Sequence, residues 1–230
     1  MRWMGILLAC AVVAQADARA SSATVIQAMR EYYALLPVPG NGNIESIRDR
    51  LIEHTPHVSA KMAKSVRRQI DKGFAKKYKK DAAFHKALAE TLAGLGKPGL
   101  NTLYKRYKAT KAPATRIAIA EAMGACGDEI ARGSLVKMMH DKDAGVAAAA
   151  VLATVQLIPK DVKAKRGVMR SLIDLYAKTT AKAQGKGKET KERKAYETLK
   201  PALDKALNAY SEGEELDTAQ AWDAWLREQK

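Results

Sequence analysis

The chain has 230 residues and a formal net charge of +15, a length that holds one domain or one short repeat array. Aromatic residues make up only 6% while Ala and Lys abound. That excludes a sheet-dominated fold, because strands draw on β-branched and aromatic side chains whereas Ala and Lys favour helix.

The N-terminal stretch has the pattern of a targeting segment. Arg2 supplies a positive start, and Ile6 to Ala14 form an apolar run, shorter than the roughly 20 residues that span a bilayer. Ala18-Arg19-Ala20 then makes an A-x-A site before Ser21. This order predicts a secretory signal peptide over residues 1–20, cleaved near Ala20, and hence an exported protein, periplasmic or secreted. Two other readings stay open. One is an N-terminal membrane anchor, which the polar Gln15, Asp17 and Arg19 cut short. The other is a lipoprotein box, Leu7-Leu8-Ala9-Cys10, in which Cys10 is lipidated, although the apolar run continues past it. Cleavage removes Cys10 and leaves Cys126 without a disulfide partner, so the fold must rest on core packing. Cys126 itself ends an apolar stretch and reads as a small core residue.

Residues 21–58 are expected to form N-terminal helices. Ile44, Ile47, Leu51 and Ile52 mark one of them, with Asn43 placed as its cap. His54 and His57 flank Pro56 in a His-x-x-His spacing. A metal needs further ligands, Pro56 breaks the helix face and only Glu53 lies nearby, so no metal site is expected. An enzyme of unrecognised type using these two histidines is a remaining alternative.

From residue 59 the apolar positions step at helical spacing. Met62, Val66, Ile70 and Phe74 form one set, Phe84, Leu88, Leu92 and Leu95 the next, and Leu100, Leu103, Tyr104 and Tyr107 a third. Residues 61–111 are rich in Lys and Arg, opposed only by Asp71, Asp81 and Glu90, and Tyr78, Tyr104 and Tyr107 are interleaved with the cations. Such a segment either attracts anionic partners or simply solvates helix faces. Gly94-Leu95-Gly96-Lys97-Pro98-Gly99 lacks the preceding strand and the Lys-Ser/Thr ending of a phosphate loop. No nucleophile elbow, zincin motif or dinucleotide fingerprint occurs, so no enzyme and no cofactor are expected.

The punctuation repeats. Ala89 to Gly96 aligns with Ala120 to Gly127 at a shift of 31 residues, and a weaker copy runs from near Val151 to the break at Ile158-Pro159. A second amphipathic helix follows each: Leu100 to Tyr107, Ile130 to Met139, and Val168 to Tyr176. A two-helix period means that stacked neighbours share one core. The run Ile119 to Asp128, then Leu135, then Asp141 to Ala150 resembles a HEAT repeat. Met123-Gly124 stands for the family's leucine–glycine pair, and Ala147 occupies the place where an arginine usually follows the valine. The resemblance covers about residues 86–180. It implies an all-α, right-handed α-solenoid of helix hairpins, here over residues 59–180.

Residues 181–190 have no apolar periodicity and are expected to be a flexible loop. Residues 191–230 then supply a terminal repeat helix and a cap. Leu207, Tyr210, Gly213, Leu216 and Trp222-Asp223-Ala224-Trp225-Leu226 resemble the tail of exported bacterial HEAT-repeat proteins of the Planctomycetes type. Trp222 and Trp225 share a helix face, and the pair is expected to pack on the helix of Leu199, Leu203 and Leu207 as a structural cap.

These features point to a non-enzymatic scaffold that binds a protein partner, with no transmembrane segment in the mature chain. Its expected contact residues are polar positions on the second helices: Asn101, Lys105, Lys108, Lys137, Arg166 and Arg170. The alternative is an electrostatic binder of a polyanion: nucleic acid, anionic lipid or acidic polysaccharide.

Overall fold

The computed structural model describes residues 2–37, 43–75, 81–184 and 191–229, with side chains from residue 17 onward. The described residues are all-α. In chain order the helices are α1 (Arg2–Leu35), α2 (Ile44–His54), α3 (Ala60–Lys72), α4 (Ala82–Gly94), α5 (Gly96–Ala109) and α6 (Pro113–Ala125). Then come α7 (Arg132–Met138), α8 (Ala144–Val155), α9 (Val162–Ala183), α10 (Lys191–Ser211) and α11 (Ala219–Glu228). Among the described residues no helix is long and apolar enough to cross a membrane.

Side-chain caps start many of these helices. Ser59, Asp81, Asp143, Asp161 and Thr218 each accept a hydrogen bond from the backbone N–H three residues on. Each such cap stabilises its helix by about 1 kcal/mol. All five sit in extended backbone, which swings the side chain over the first turn. Asn43 does not: its ψ is 43° and it makes no side-chain cap bond. The cap expected there is therefore absent.

The 31-residue period is present in the backbone. Helices α4, α6 and α8 begin at residues 82, 113 and 144, a step of 31 each time. Gly96 and Gly127, also 31 apart, both follow the end of a first helix with φ +68°. This is the left-handed region where a Cβ is unfavourable and glycine is at home.

The chain divides into two compact units, residues 1–106 and 107–230, with the boundary inside α5. In the first unit α1 packs on α2, α2 on α4, and α3 on α4. Its core holds Val25, Tyr32, Ile47, Leu51, Ile70, Phe84, Leu88 and Leu92. The Tyr32 hydroxyl donates to the Ile70 carbonyl at 3.2 Å, tying α1 to α3. Arg106 forks onto Asp71 at 2.8 and 2.7 Å, and Arg50 pairs with Glu31. Among the side chains described on α1, Ser21, Val25, Ala28, Met29 and Tyr32 are buried, whereas Asp17, Arg19 and Ala20 are exposed.

In the second unit α8 lies against α6, α7 and α10, while α9 packs on α10 and α11 on α9. Helices two apart in the chain are thus direct neighbours. Gly124 makes the α6–α8 approach possible, since a Cβ there would sit 2.8 Å from Ala153 Cβ and 2.9 Å from its backbone. Ile119, Met123, Leu135, Val151, Leu172, Leu203 and Leu207 fill the core between the helices.

Three further expectations are modified. The helix expected over Ile130 to Met139 starts later, after a 3-10 turn at Glu129–Ala131, and leaves Ile130 half exposed at 50%. Helix α9 runs on to Ala183, so the first residues of the expected loop are helical, and residues 185–190 lie outside the described residues. Helix α11 packs along α9 rather than chiefly on α10. Trp222 nevertheless shares a cleft with Asp204, Lys205 and Asn208 of α10.

Candidate functional site

Asp141, in the turn before α8, is the hub of the second unit. Its Oδ2 accepts from the Tyr107 hydroxyl at 2.6 Å and from Arg116 Nη1 at 2.6 Å, and its Oδ1 accepts from the Asp143 N–H at 2.8 Å. Both members of the ion pair are nearly dry, with side-chain exposures of 9% for Arg116 and 2% for Asp141. A buried pair of this kind fixes geometry more surely than it adds stability. It holds the start of α6 against the turn that leads into α8. Arg116 lies 31 residues before Ala147, the position where the resemblance implies an arginine.

Two adjoining clefts open around this hub. One, of about 490 Å³, lies at the heads of α6, α8 and α10 and is lined by Lys111, Arg116, Lys142, Asp143, Lys191 and Lys194, among others. The other, of about 410 Å³, has an apolar wall of Met139, Ala147, Leu175 and Leu199. Its rim carries Lys142, Lys178, Lys182 and Lys191, with His140 and Glu192 beside them. Lys142, Ala144, Lys191 and Ala195 line both. The carboxylates here are largely engaged: Asp141 with Arg116 and Tyr107, and Asp143 with the Val146 N–H. The net field of both clefts is therefore positive.

The contact residues expected from sequence are dispersed. Asn101, Lys105 and Lys108 are exposed along α5, and Lys137 is exposed on α7. Arg166 and Arg170 are brought together with Asp161, Val162 and Lys163 in an open cleft along α9 of about 630 Å³. Arg166 is half-buried, and its Nη2 donates to the Leu226 carbonyl at 3.4 Å, so it also fastens α11 to α9. The lysines of the two clefts were not among the expected contacts. One signal was available: Lys80, Lys111 and Lys142 recur every 31 residues, each just before a first helix. Lys80 and Tyr78 lie outside the described residues.

Cys126 is half-buried, its thiol donates to the Met123 carbonyl at 3.1 Å, and burial pushes its pKa up, away from the thiolate. Burial and the Asp204 carboxylate push the Tyr176 phenol up to about 12, and its hydroxyl donates to the Asp217 carbonyl at 3.1 Å. His54 and His57 lie beside and in the 3-10 turn Thr55–His57, and His54 Nε2 lies 3.8 Å from Glu53. Among the described residues no group of three or more His, Cys, Asp or Glu is arranged to hold a metal.

No family model, curated protein or solved structure matches the chain.

Proposed function

We propose that the chain is an exported, non-enzymatic binding module built of HEAT-like helix hairpins, with a protein as its partner. The observation that carries the reading is the direct packing of helices two apart: α2 on α4, α6 on α8, α8 on α10 and α9 on α11. Units that share apolar faces in this way leave their outer helix faces free to present side chains to a partner. The exposed Lys137 and Arg170 are the contacts to probe. Crosslinking of the tagged protein in an envelope fraction should recover a reproducible partner, lost in Lys137→Glu/Arg170→Glu. Recovery of no partner, or of one insensitive to those changes, would overturn the reading.

Export rests on the order of charge, apolar run and A-x-A site in residues 1–20. Sequencing the N-terminus of the envelope-fraction protein should find Ser21; an intact Met1 would refute cleavage.

The second reading, a polyanion binder, is favoured by the lysine-lined clefts. It requires heparin-column retention beyond that of an equally charged control, with a steep salt dependence. Equal retention would remove it.

A further inference from the structure

We infer that the cleft at the heads of α6, α8 and α10 is a specific binding site for a small molecule bearing two or more phosphoryl groups. The inference deepens the anionic-ligand reading and rests on it. Its first support is a set of lysine charges with no ion-pair partner among the described residues. Lys111, Lys142, Lys191 and Lys194 reach the cleft from three different elements, and among the described residues none of the four is in an ion pair. Like charges held this close repel one another, and a bound anion relieves that repulsion.

The second support is Arg116. It lines the cleft, yet nine-tenths of its side chain is buried. Nη1 is held by Asp141, while Nε is buried and has no hydrogen-bond partner. A buried donor left so is costly, and the residue that carries it lines the cleft. Asp141 fixes the guanidinium in place, so little side-chain freedom is lost on binding an oxyanion.

The third support is the backbone. Ala144 and Gly145, in the first turn of α8, line the cleft. Helix α6 begins without a side-chain cap, because Ala112 stands where Asp81 and Asp143 cap α4 and α8, one period away on either side. The positive end of α6 thus has no side-chain acceptor from its N-cap residue. A single phosphate would leave several of these cations unanswered. A volume of about 490 Å³ falls within the roughly 300–1,000 Å³ usual for small-ligand sites.

The test uses inorganic pyrophosphate, titrated into the protein at constant ionic strength and followed by phosphorus-31 line broadening and by calorimetry. Saturable binding is expected, weakened at least tenfold in Lys142→Gln/Lys194→Gln and in Thr198→Glu, which puts a carboxylate into the cleft. Lys160→Gln/Lys163→Gln removes the same charge from outside the cleft and should leave affinity unchanged. Equal weakening by both lysine pairs would overturn the site, as would the absence of saturable binding. Sulfate competing as well as pyrophosphate would overturn the phosphoryl assignment. The heparin column, run on the same variants, separates the two failures. Strong retention without pyrophosphate binding refutes this cleft alone, and ordinary retention refutes the anionic-ligand reading as well.

Discussion

The Tyr210 hydroxyl donates to the Thr154 carbonyl at 3.0 Å, joining α10 to the last turn of α8 where both side chains are fully buried. That carbonyl also accepts from the Leu157 N–H at 3.0 Å, so removing the phenol leaves it one partner. Tyr210→Phe should therefore cost only about 1 kcal/mol. Tyr210→Ala, which empties the ring's place in the core, should cost about 3–5 kcal/mol. Urea unfolding measures both, and equal losses would mean that the ring contributes little beyond its hydroxyl.

Gly124 and Gly133 are opposite cases within one unit. A Cβ on Gly124 would clash with the backbone of Ala153, whereas one on Gly133 meets nothing within 4 Å. Gly124→Ala should destabilise by about 1–3 kcal/mol through overpacking. Gly133→Ala, in α7, should stabilise by about 0.5–1 kcal/mol, since Ala loses less backbone entropy in a helix. Thermal melts that move both variants in the same direction would contradict the close α6–α8 crossing.

The tryptophan pair is edge to face, with ring centroids 6.0 Å apart, but only Trp222 is fully buried, at 1% exposure. Trp222→Ala should cost about 3–5 kcal/mol. Trp225→Ala should cost clearly less, because Trp225 is only partly buried. Retention of the wild-type melting temperature by Trp222→Ala would recast the pair as a partner contact.

His85 gives the first unit a pH dependence. It stacks on Phe74 at 5.4 Å, and burial lowers its pKa below 6.5, with Asp81 pulling it up and Arg106 pushing it down. The folded state therefore binds this proton less readily than the unfolded chain. Its stabilisation is complete above the unfolded pKa of about 6.5 and declines as pH falls through the lower folded pKa. Melting between pH 7 and pH 5 should drop less in His85→Asn than in the parent protein. An identical drop would show that His85 does not carry the effect.

Much of the local structure was legible in the sequence because it depends on neighbours a few residues away. Phe84, Leu88 and Leu92, expected from their spacing to share one apolar helix face, are all buried on α4. The 31-residue spacing of Gly96 and Gly127 emerged intact, since a left-handed φ is a local demand. Asn43 failed as a cap for an equally local reason, a backbone angle that residue identity does not dictate.

Period, helical class and the apolar faces of the helices were thus determined by the sequence itself, through spacing and short-range sterics. Which faces meet was decided only in three dimensions. No periodicity reveals that Arg116 and Asp141, 25 residues apart, form a nearly dry pair, or that α11 lies along α9. Nor does it show that Lys111, Lys142, Lys191 and Lys194 converge on one cleft. The reason is that a charged residue on a helix surface carries the same sequence signal whether it faces water or a neighbouring helix head. Only the packing of α6, α8 and α10 brings those charges together.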